Sequence, residues 1–531
     1  MGMYLNLGNA GFESIRKGLY IDKTGLISFI NGTLGTREKL TCVSRPRRFG
    51  KSYAAQMLCA YYDKSCDSRT LFEDLEIAKD PSFEQHLNQY DVIDLDMTWF
   101  ISICSKGKNI VEFIQEQVIG ELAEAYPVAE GIKSLPLALF KICAETQNRF
   151  IIIVDEWDAL FREVKENTDL QNEYIQLLRG LFKSSVTDRM IEAAYMTGIL
   201  PIKKYGTQSA MTDFIEYTMI QPECLARYTG FMESEVESLC AKYDVSLAET
   251  KRWYDGYSFS AIESIYNPNS VIKAIKNKRF DTYWTQTETY ESLKFYIELN
   301  LDGLKEAVVQ MIGGARQPID TGVFQNDMTS ISSRDDVLTL LVHLGYLAYD
   351  TATKSVRIPN EEIRQEFIRA VKNGRHTELA ELIASSDQLL QDTLAMNAEK
   401  VAQAIERTHS ASTAPNFYNN EQALRSVIRF AYISCIDEFD EIQELPSGIG
   451  YADVVYLPKK NSSKPIMIIE LKWNKRAEGA IAQIKDHNYP QVLEKHRSDI
   501  LLVGISYDEK TKKHACVIEK YNRESLSELR R

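Results

Sequence analysis

Residues 150–154, Phe-Ile-Ile-Ile-Val, form an unbroken apolar run that ends in two acids, Asp155 and Glu156. A strand that is apolar at every position suits burial on both faces, and such strands belong to parallel sheets covered by helices on each side. Two further strand-like runs, 40–44 and 92–96, and a weaker one at 193–196 are separated by helix-compatible stretches such as 174–182. Alternation of this kind over residues 1–220 is the pattern of an α/β domain with crossover helices.

The chain has 531 residues, enough for three or four domains, and its 44% apolar and 26% charged content excludes a disordered or fibrous polymer. Its net charge of -13 excludes a global electrostatic grip on nucleic acid. The charge is uneven, however. From Lys459 onward there are 16 basic and 10 acidic residues, a surplus of six, which leaves -19 for the rest. Contact with a polyanion is therefore expected toward the C-terminal end. No apolar run approaches the ~18 residues needed to span a bilayer. The nine cysteines are scattered, with no C-x-x-C pair, and the N-terminus has no basic-then-apolar leader pattern. These features give the expectation of a reduced, cytoplasmic protein with no membrane partner.

The spacing predicts a mostly helical region over 221–375. Within it a helix after Ser333, an alternating segment over 348–359 and a helix after Asn360 give the order of a winged-helix-like module. Whether that module touches nucleic acid or only neighbouring domains stays open. A helical connector and linker follow over 376–419, the stretch from 410 to 419 being linker-like in composition. Residues 420–531 read as helix, three strands, helix and two strands, a second α/β domain.

Two stretches carry chemistry. The strand at 40–44 runs into Arg45-Pro46-Arg47-Arg48-Phe49-Gly50-Lys51-Ser52 and then a helix. Gly50-Lys51-Ser52 at a strand-to-helix junction supplies a turn whose N–H groups face an anion, a lysine for phosphate oxygens and a hydroxyl for Mg²⁺. Arg45 stands where the first glycine of a phosphate loop is usual. About a hundred residues later, Asp155 is placed to hold Mg²⁺ and Glu156 to polarise an attacking water. Asp158 reads equally well as a further metal-side carboxylate or an exposed acid. Thr197 reads as a γ-phosphate sensor or as a structural N-cap.

The other stretch begins with Asp453, which leads into a strand; seventeen residues later a second strand ends Glu470-Leu471-Lys472. Two carboxylates on neighbouring strands can hold one or two Mg²⁺, and a lysine two residues past the second projects to the same face. Gln483 on the following helix, and Glu421 or Glu444 ahead of the first strand, are further candidates. Trp473, Lys475, Arg476 and Lys485 read as a basic and stacking surface for nucleic acid, or as a solvated face.

Residues 20–24 (YIDKT), SRPRRFGKS from Ser44, DEWD at 155–158 and MTGI at 196–199 resemble the AAA-ATPase-like group of bacterial P-loop proteins. RWYDGY at 252–257, YNPNS at 266–270, LGYL and IPNEEIRQEF are similar to the same group's helical and winged segments. PSGIGYADVVYLP, IIELKWNKRAEGAIAQIKDHNYP and the Asn420-Glu421 helix start resemble the associated PD-(D/E)XK nuclease superfamily. Arg45 fits the group's own loop pattern. Where many members carry aromatic residues and a His after the helix glutamate, this chain has Ala423, Leu424 and Arg425, and where many carry Gly-Asn-Asn it has residues 210–213, Ala-Met-Thr-Asp.

The resemblance implies ATPase roles for Lys51, Ser52, Asp155 and Glu156; ATP is the expected ligand, with Arg45, Arg47, Arg48, Gly50, Lys51, Ser52, Asp155 and Thr197 expected to hold it, Ser52 and Asp155 on Mg²⁺ and Glu156 catalytic. The resemblance also implies nuclease roles for Asp453, Glu470, Lys472 and Gln483, and Glu421, Asp453 and Glu470 are expected on Mg²⁺, with Mn²⁺ as an alternative. The expected partner is nucleic acid, DNA in the first instance, and the group is compatible with a homo-oligomer. The alternative is a nucleotide-sensing switch whose nuclease-like domain binds nucleic acid or a partner without cutting.

Overall fold

The computed structural model describes residues 2–105, 107–164, 167–183, 186–202, 213–259, 262–284, 293, 295, 297, 301–322, 324–325, 331–372, 377–411, 421–433, 435–447, 450–459, 462–486, 493 and 499–521. Side chains at 263, 372, 377–384, 410–411, 421–423, 426, 430, 436–437, 443–447 and 450–452 lie outside that description. Glu421 and Glu444 are therefore placed by backbone alone, while residues 210–212 and 412–420 fall outside the described residues. The chain divides into two compact units, Met1–Gln286 with Pro318–Glu362, and Thr287–Gln317 with Ile363–Arg531.

The first unit is built on a sheet of β1 (Leu40–Ser44), β2 (Asp91–Asp96), β3 (Phe150–Asp155), β4 (Ile191–Gly198) and β5 (Ile215–Tyr217), in the order β2-β3-β4-β1-β5. Every pairing is parallel. All six residues of β3 are buried, as its unbroken apolar run requires, and the two faces serve two separate cores. Ile152 and Val154 pack with helices Ile110–Ala125 and Leu135–Thr146, whereas Ile151 and Ile153 pack with Lys51–Tyr62. The register sets Val154 beside Met196 and Val43 beside Thr197, so β1, β3 and β4 end at one edge. Ligands of open parallel sheets bind beyond that edge.

A small antiparallel sheet of β6 (Phe231–Met232), β7 (Tyr257–Phe259) and β8 (Ile262–Tyr266) follows, in the order β6-β8-β7. Helix Pro268–Asn277 leaves it, started by proline at the first position and by the Asn267 side chain accepting the Ser270 N–H at 3.2 Å. The short strand β9 (Gln317–Pro318) lies at the division between the units. Helix Arg334–His343, the antiparallel hairpin of β10 (Ala348–Asp350) and β11 (Ser355–Arg357), and helix Glu361–Lys372 then come in the helix–hairpin–helix order read from the sequence.

The second unit carries β12 (Phe439–Ser447), β13 (Gly450–Pro458), β14 (Ile466–Trp473), β15 (Ile500–Asp508) and β16 (Lys513–Tyr521), hydrogen-bonded in sequence order. Only β14 and β15 run parallel, and helix Ala477–Asp486 makes that crossover. Alternation sorts the faces. Val454, Tyr456, Met467, Ile469 and Leu471 join one core with helices Ala398–Ala411 and Glu421–Ala431, while Val455, Ile466 and Ile468 join Ile481 and Ile484 on the other. Asp453, Glu470 and Lys472 share the parity of this second face.

One buried charge fixes the helices of this unit. Glu441 accepts from Arg364 Nη1 at 2.8 Å and Arg429 Nε at 2.6 Å. Those arginines also reach the carbonyls of Ile312 at 3.0 Å and Gly313 at 3.0 Å. Burial alone would raise the Glu441 pKa, but the two guanidinium groups override it and hold the carboxyl at about 2. Its folded pKa lies below the ordinary 4.5, so the stabilisation is fully present above that pH and is lost as pH falls toward 2. Glu441→Gln strands two buried cations and is expected to cost about 3–5 kcal/mol of unfolding free energy, measured by urea denaturation at neutral pH. A loss under about 1 kcal/mol would mean the triad is not what ties these elements together.

Candidate functional site

Arg45-Pro46-Arg47-Arg48-Phe49-Gly50 leaves the end of β1 and enters helix Lys51–Tyr62. Gly50 has φ +89° and no atom within 4 Å of where a Cβ would sit, so glycine is required there by backbone conformation rather than by space. The turn aims the helix N-terminus at a cavity of about 840 Å³, a volume suited to a small-molecule ligand. Gly50, Lys51, Ser52, Arg47, Arg48 and Glu156 line it, together with Leu19, Tyr20 and Ile21 from the N-terminal stretch and Asn269 and Ile272 from helix Pro268–Asn277. Seven cationic residues and one acid, Glu156, border this space, a balance that favours a polyanion. Asn269 adds a buried side-chain amide N–H with no partner among the described residues.

The acids at the end of β3 are held from several sides. Lys51 Nζ, 4% exposed as a residue, lies 3.3 Å from Glu156 Oε1 and donates to Pro46 O at 3.1 Å. Arg162 Nη2 donates to the other Glu156 oxygen, and its Nε donates to Asp158 at 3.1 Å. Burial pushes the Glu156 pKa up, but Lys51 and Arg162 together bring it below the ordinary carboxylate value. Glu156 is thus an ionised carboxylate at neutral pH. Asp155, 8% exposed, is pushed up by burial, with Ser52 and Thr197 hydroxyls bonded to it and opposing that rise. A carboxylate flanked by two hydroxyls beside a phosphate loop is a hard oxygen set of the type Mg²⁺ takes.

The structure also decides the readings left open. Thr197 lies inside β4 and its hydroxyl donates to Asp155, so it caps no helix. Asp158 is fully buried and accepts from the Ile199 and Leu200 N–H groups at 3.2 and 2.9 Å. It is neither exposed nor turned to the cavity; it ties the β3 turn to the end of β4. Arg45 is not brought to the cavity either. It is fully buried, donates to Ser44 O and Tyr217 O at 2.9 Å each, and packs over the Phe259 ring. Burial lowers its pKa to about 10. The loop arginine thus bridges β1 and β5 from within, and only Arg47 and Arg48 of the three line the cavity. Arg48 also donates to Tyr283 O at 2.7 Å.

In the second unit, Asp453, Glu470, Lys472 and Gln483 converge. Asp453 Oδ2 accepts the Leu471 N–H at 2.8 Å, which clamps β13 to β14 at the site. Gln483 donates to Glu470 Oε1 and accepts from Lys472 Nζ, and that ammonium is itself 3.4 Å from Glu470. Glu470 is 2% exposed, and its Oε2 is buried with no partner among the described residues. Burial first, and Asp453 second, raise its pKa to about 7. Two buried carboxylates with one orphaned oxygen suit a divalent cation such as Mg²⁺ or Mn²⁺. No cluster of three or more acidic, His or Cys side chains capable of holding a metal occurs among the described residues. Glu421 opens helix Glu421–Ala431 and Glu444 lies on β12, both placed by backbone only.

Sequence reading missed two arginines. Arg162 sits four residues after Asp158 and pairs with it, an i,i+4 spacing visible in the sequence. Arg425 pairs with Asp453, and only the departure from the usual residues after Glu421 marked it. The surface readings divide as well. Trp473 packs against Tyr507 with ring centroids 4.8 Å apart, and Lys485 pairs with Glu519 at 2.6 Å, while Lys475 and Arg476 are exposed.

Asp158→Asn separates these roles. It is expected to lower stability by about 2–4 kcal/mol by weakening a buried ion pair, while ATP affinity measured below the melting transition changes less than about threefold. A selective loss of ATP affinity at unchanged stability would put Asp158 in the site.

Residues 6–207 match the family model described as Predicted AAA-ATPase, and residues 419–516 match that of the PD-(D/E)XK nuclease superfamily. No curated protein matches the chain. Among solved structures it is similar to the ORC2 protein of Aeropyrum pernix, described as ADPNP-ADP complexes, at 12% identity over 69% of this chain and 97% of that one, TM-score 0.30. It is likewise similar to PCH-2 of C. elegans, at 14% identity over 69% of this chain and 74% of that one, TM-score 0.24. The chain thus joins a predicted AAA-ATPase domain to a C-terminal domain of the PD-(D/E)XK nuclease superfamily.

Proposed function

We propose that the chain binds and hydrolyses ATP in its first unit and that nucleotide binding there is coupled to its second, which cleaves phosphodiester bonds of nucleic acid, DNA in the first instance, with a divalent cation. The reading takes 1–220 as the ATPase domain, 221–375 as a helical region with a winged-helix-like module, 376–419 as connector and 420–531 as the nuclease domain. The observation that carries the first half is the cavity itself, bordered by seven cations and a single acid at the N-terminus of the phosphate-loop helix. Lys51, Arg47 and Arg48 would bind the phosphates, with Leu19, Ile21 and Ile272 covering the base and Ser52 and Asp155 holding Mg²⁺. Glu156, kept ionised, would orient the attacking water, and Thr197 would fix the Asp155 carboxylate.

In the second unit Asp453 and Glu470 would hold Mg²⁺ or Mn²⁺, with Glu421 as a third ligand. When bound, that ion supplies a Lewis acid against the charge that builds on the scissile phosphate. Lys472, positioned by Gln483, would donate to the same phosphate and is fixed in place by the Glu470 hydrogen bonds. A cytoplasmic location and a homo-oligomer are consistent with this reading. A specific observation keeps the switch alternative in view: Arg425 already satisfies Asp453 without a metal, as a domain that binds without cutting would allow.

Single-site substitutions test the two halves separately. Lys51→Ala is expected to weaken ATP binding at least about tenfold, and Glu156→Gln to preserve binding while hydrolysis falls about a hundredfold or more. Unchanged ATP affinity in Lys51→Ala would remove the cradle assignment. Glu470→Ala and Lys472→Ala are expected to abolish strand cleavage and leave ATP hydrolysis at the parental rate.

A further inference from the structure

We infer that the Arg425 guanidinium occupies the metal's place on Asp453, so that a divalent cation loads at the Asp453–Glu470 pair only as Arg425 withdraws. The inference rests on the metal-nuclease reading above and adds a competitor to it. Both oxygens of Asp453 are committed: Oδ1 accepts from Arg425 Nη2, and Oδ2 accepts the Leu471 N–H at 2.8 Å. Among the described side chains, Arg425 and Lys472 are the cations that lie against Asp453 and Glu470.

A divalent ion added beside Arg425 would set like charges together against carboxylates that are 6% and 2% exposed, which low-dielectric surroundings penalise strongly. A guanidinium does not lose its proton in a protein, so its charge leaves Asp453 only by movement of the side chain. The Arg425 side chain is 33% exposed while that of Asp453 is 7% exposed, so the cation has a way to solvent that the carboxylate lacks. The helix need not shift, because Arg429, one turn further along, is anchored on the buried Glu441 and on Gly313 O. Arg425 therefore acts as a tethered cation that pairs with Asp453 and sets how tightly the carboxylates take a metal.

The test is Mn²⁺ titration of the full-length chain without nucleotide, followed by the electron paramagnetic resonance signal of free Mn²⁺. Arg425→Gln is expected to bind Mn²⁺ about tenfold more tightly than the parent, Arg425→Lys to stay near the parent, and Arg425→Gln with Asp453→Asn to lose the gain. Circular dichroism melts establish that each variant is folded, and Arg425→Met, which keeps the aliphatic stem, replaces the glutamine if that variant melts early. Mn²⁺ bound with equal affinity by the parent and the neutral variants, or a gain that survives Asp453→Asn, would overturn the inference and leave the metal site standing. Absence of Mn²⁺ binding in every variant would overturn both.

Discussion

Glu156 lies between Lys51 and Arg162, and the N-terminal unit's chemistry depends on that arrangement. An acid at the end of a wholly buried strand would ordinarily shed its charge, because burial disfavours the ionised form. Here one cation comes from the phosphate-loop helix and the other from the turn that follows the acid, and together they keep the carboxylate ionised. The same contacts hold Lys51 at the mouth of the cavity. The parallel register of β1, β3 and β4 makes this meeting possible, since it brings residues about a hundred positions apart in sequence to one sheet edge.

The second unit handles charge in two different ways. At Glu441 two arginines and one carboxylate are sealed with backbone carbonyls, an arrangement that ties helices to the sheet. At Asp453 and Glu470 the balance is looser, because one of the cations is partly exposed and one carboxylate oxygen is left unsatisfied. Buried polar atoms without partners are costly and infrequent. The unpartnered Glu470 oxygen, on a carboxylate that Lys472 and Gln483 contact, is what a site able to receive a further cation would contain.

Much of this was legible in the amino-acid sequence, for identifiable reasons. The β3 run could be read because burial on both faces leaves no alternation to confuse, and Gly50-Lys51-Ser52 because each residue has a distinct physical task. The order of the C-terminal elements followed from strand-length apolar runs divided by one amphipathic helix. Arg45 was misplaced because sequence shows adjacency but not direction: one residue from the loop it turns inward to the Tyr217 carbonyl. Asp158 read equally as a metal-side carboxylate or an exposed acid for the same reason, whereas the N–H groups just past the end of β4 claim it. Arg425 was hidden because its partner lies 28 residues away on another element, and pairings of that kind arise only in the folded chain.

The central claim is that one chain carries two chemically separate sites, with nucleotide binding at the first altering phosphodiester cleavage at the second. Its most direct test is cleavage of plasmid and single-stranded DNA with Mg²⁺ or Mn²⁺, with and without ATP, by the parent chain, Lys472→Ala and Lys51→Ala. The account predicts cutting that disappears in Lys472→Ala and that ATP alters only while Lys51 is intact. Cutting that persists in Lys472→Ala, or no cutting under any condition while ATP still binds, would contradict it.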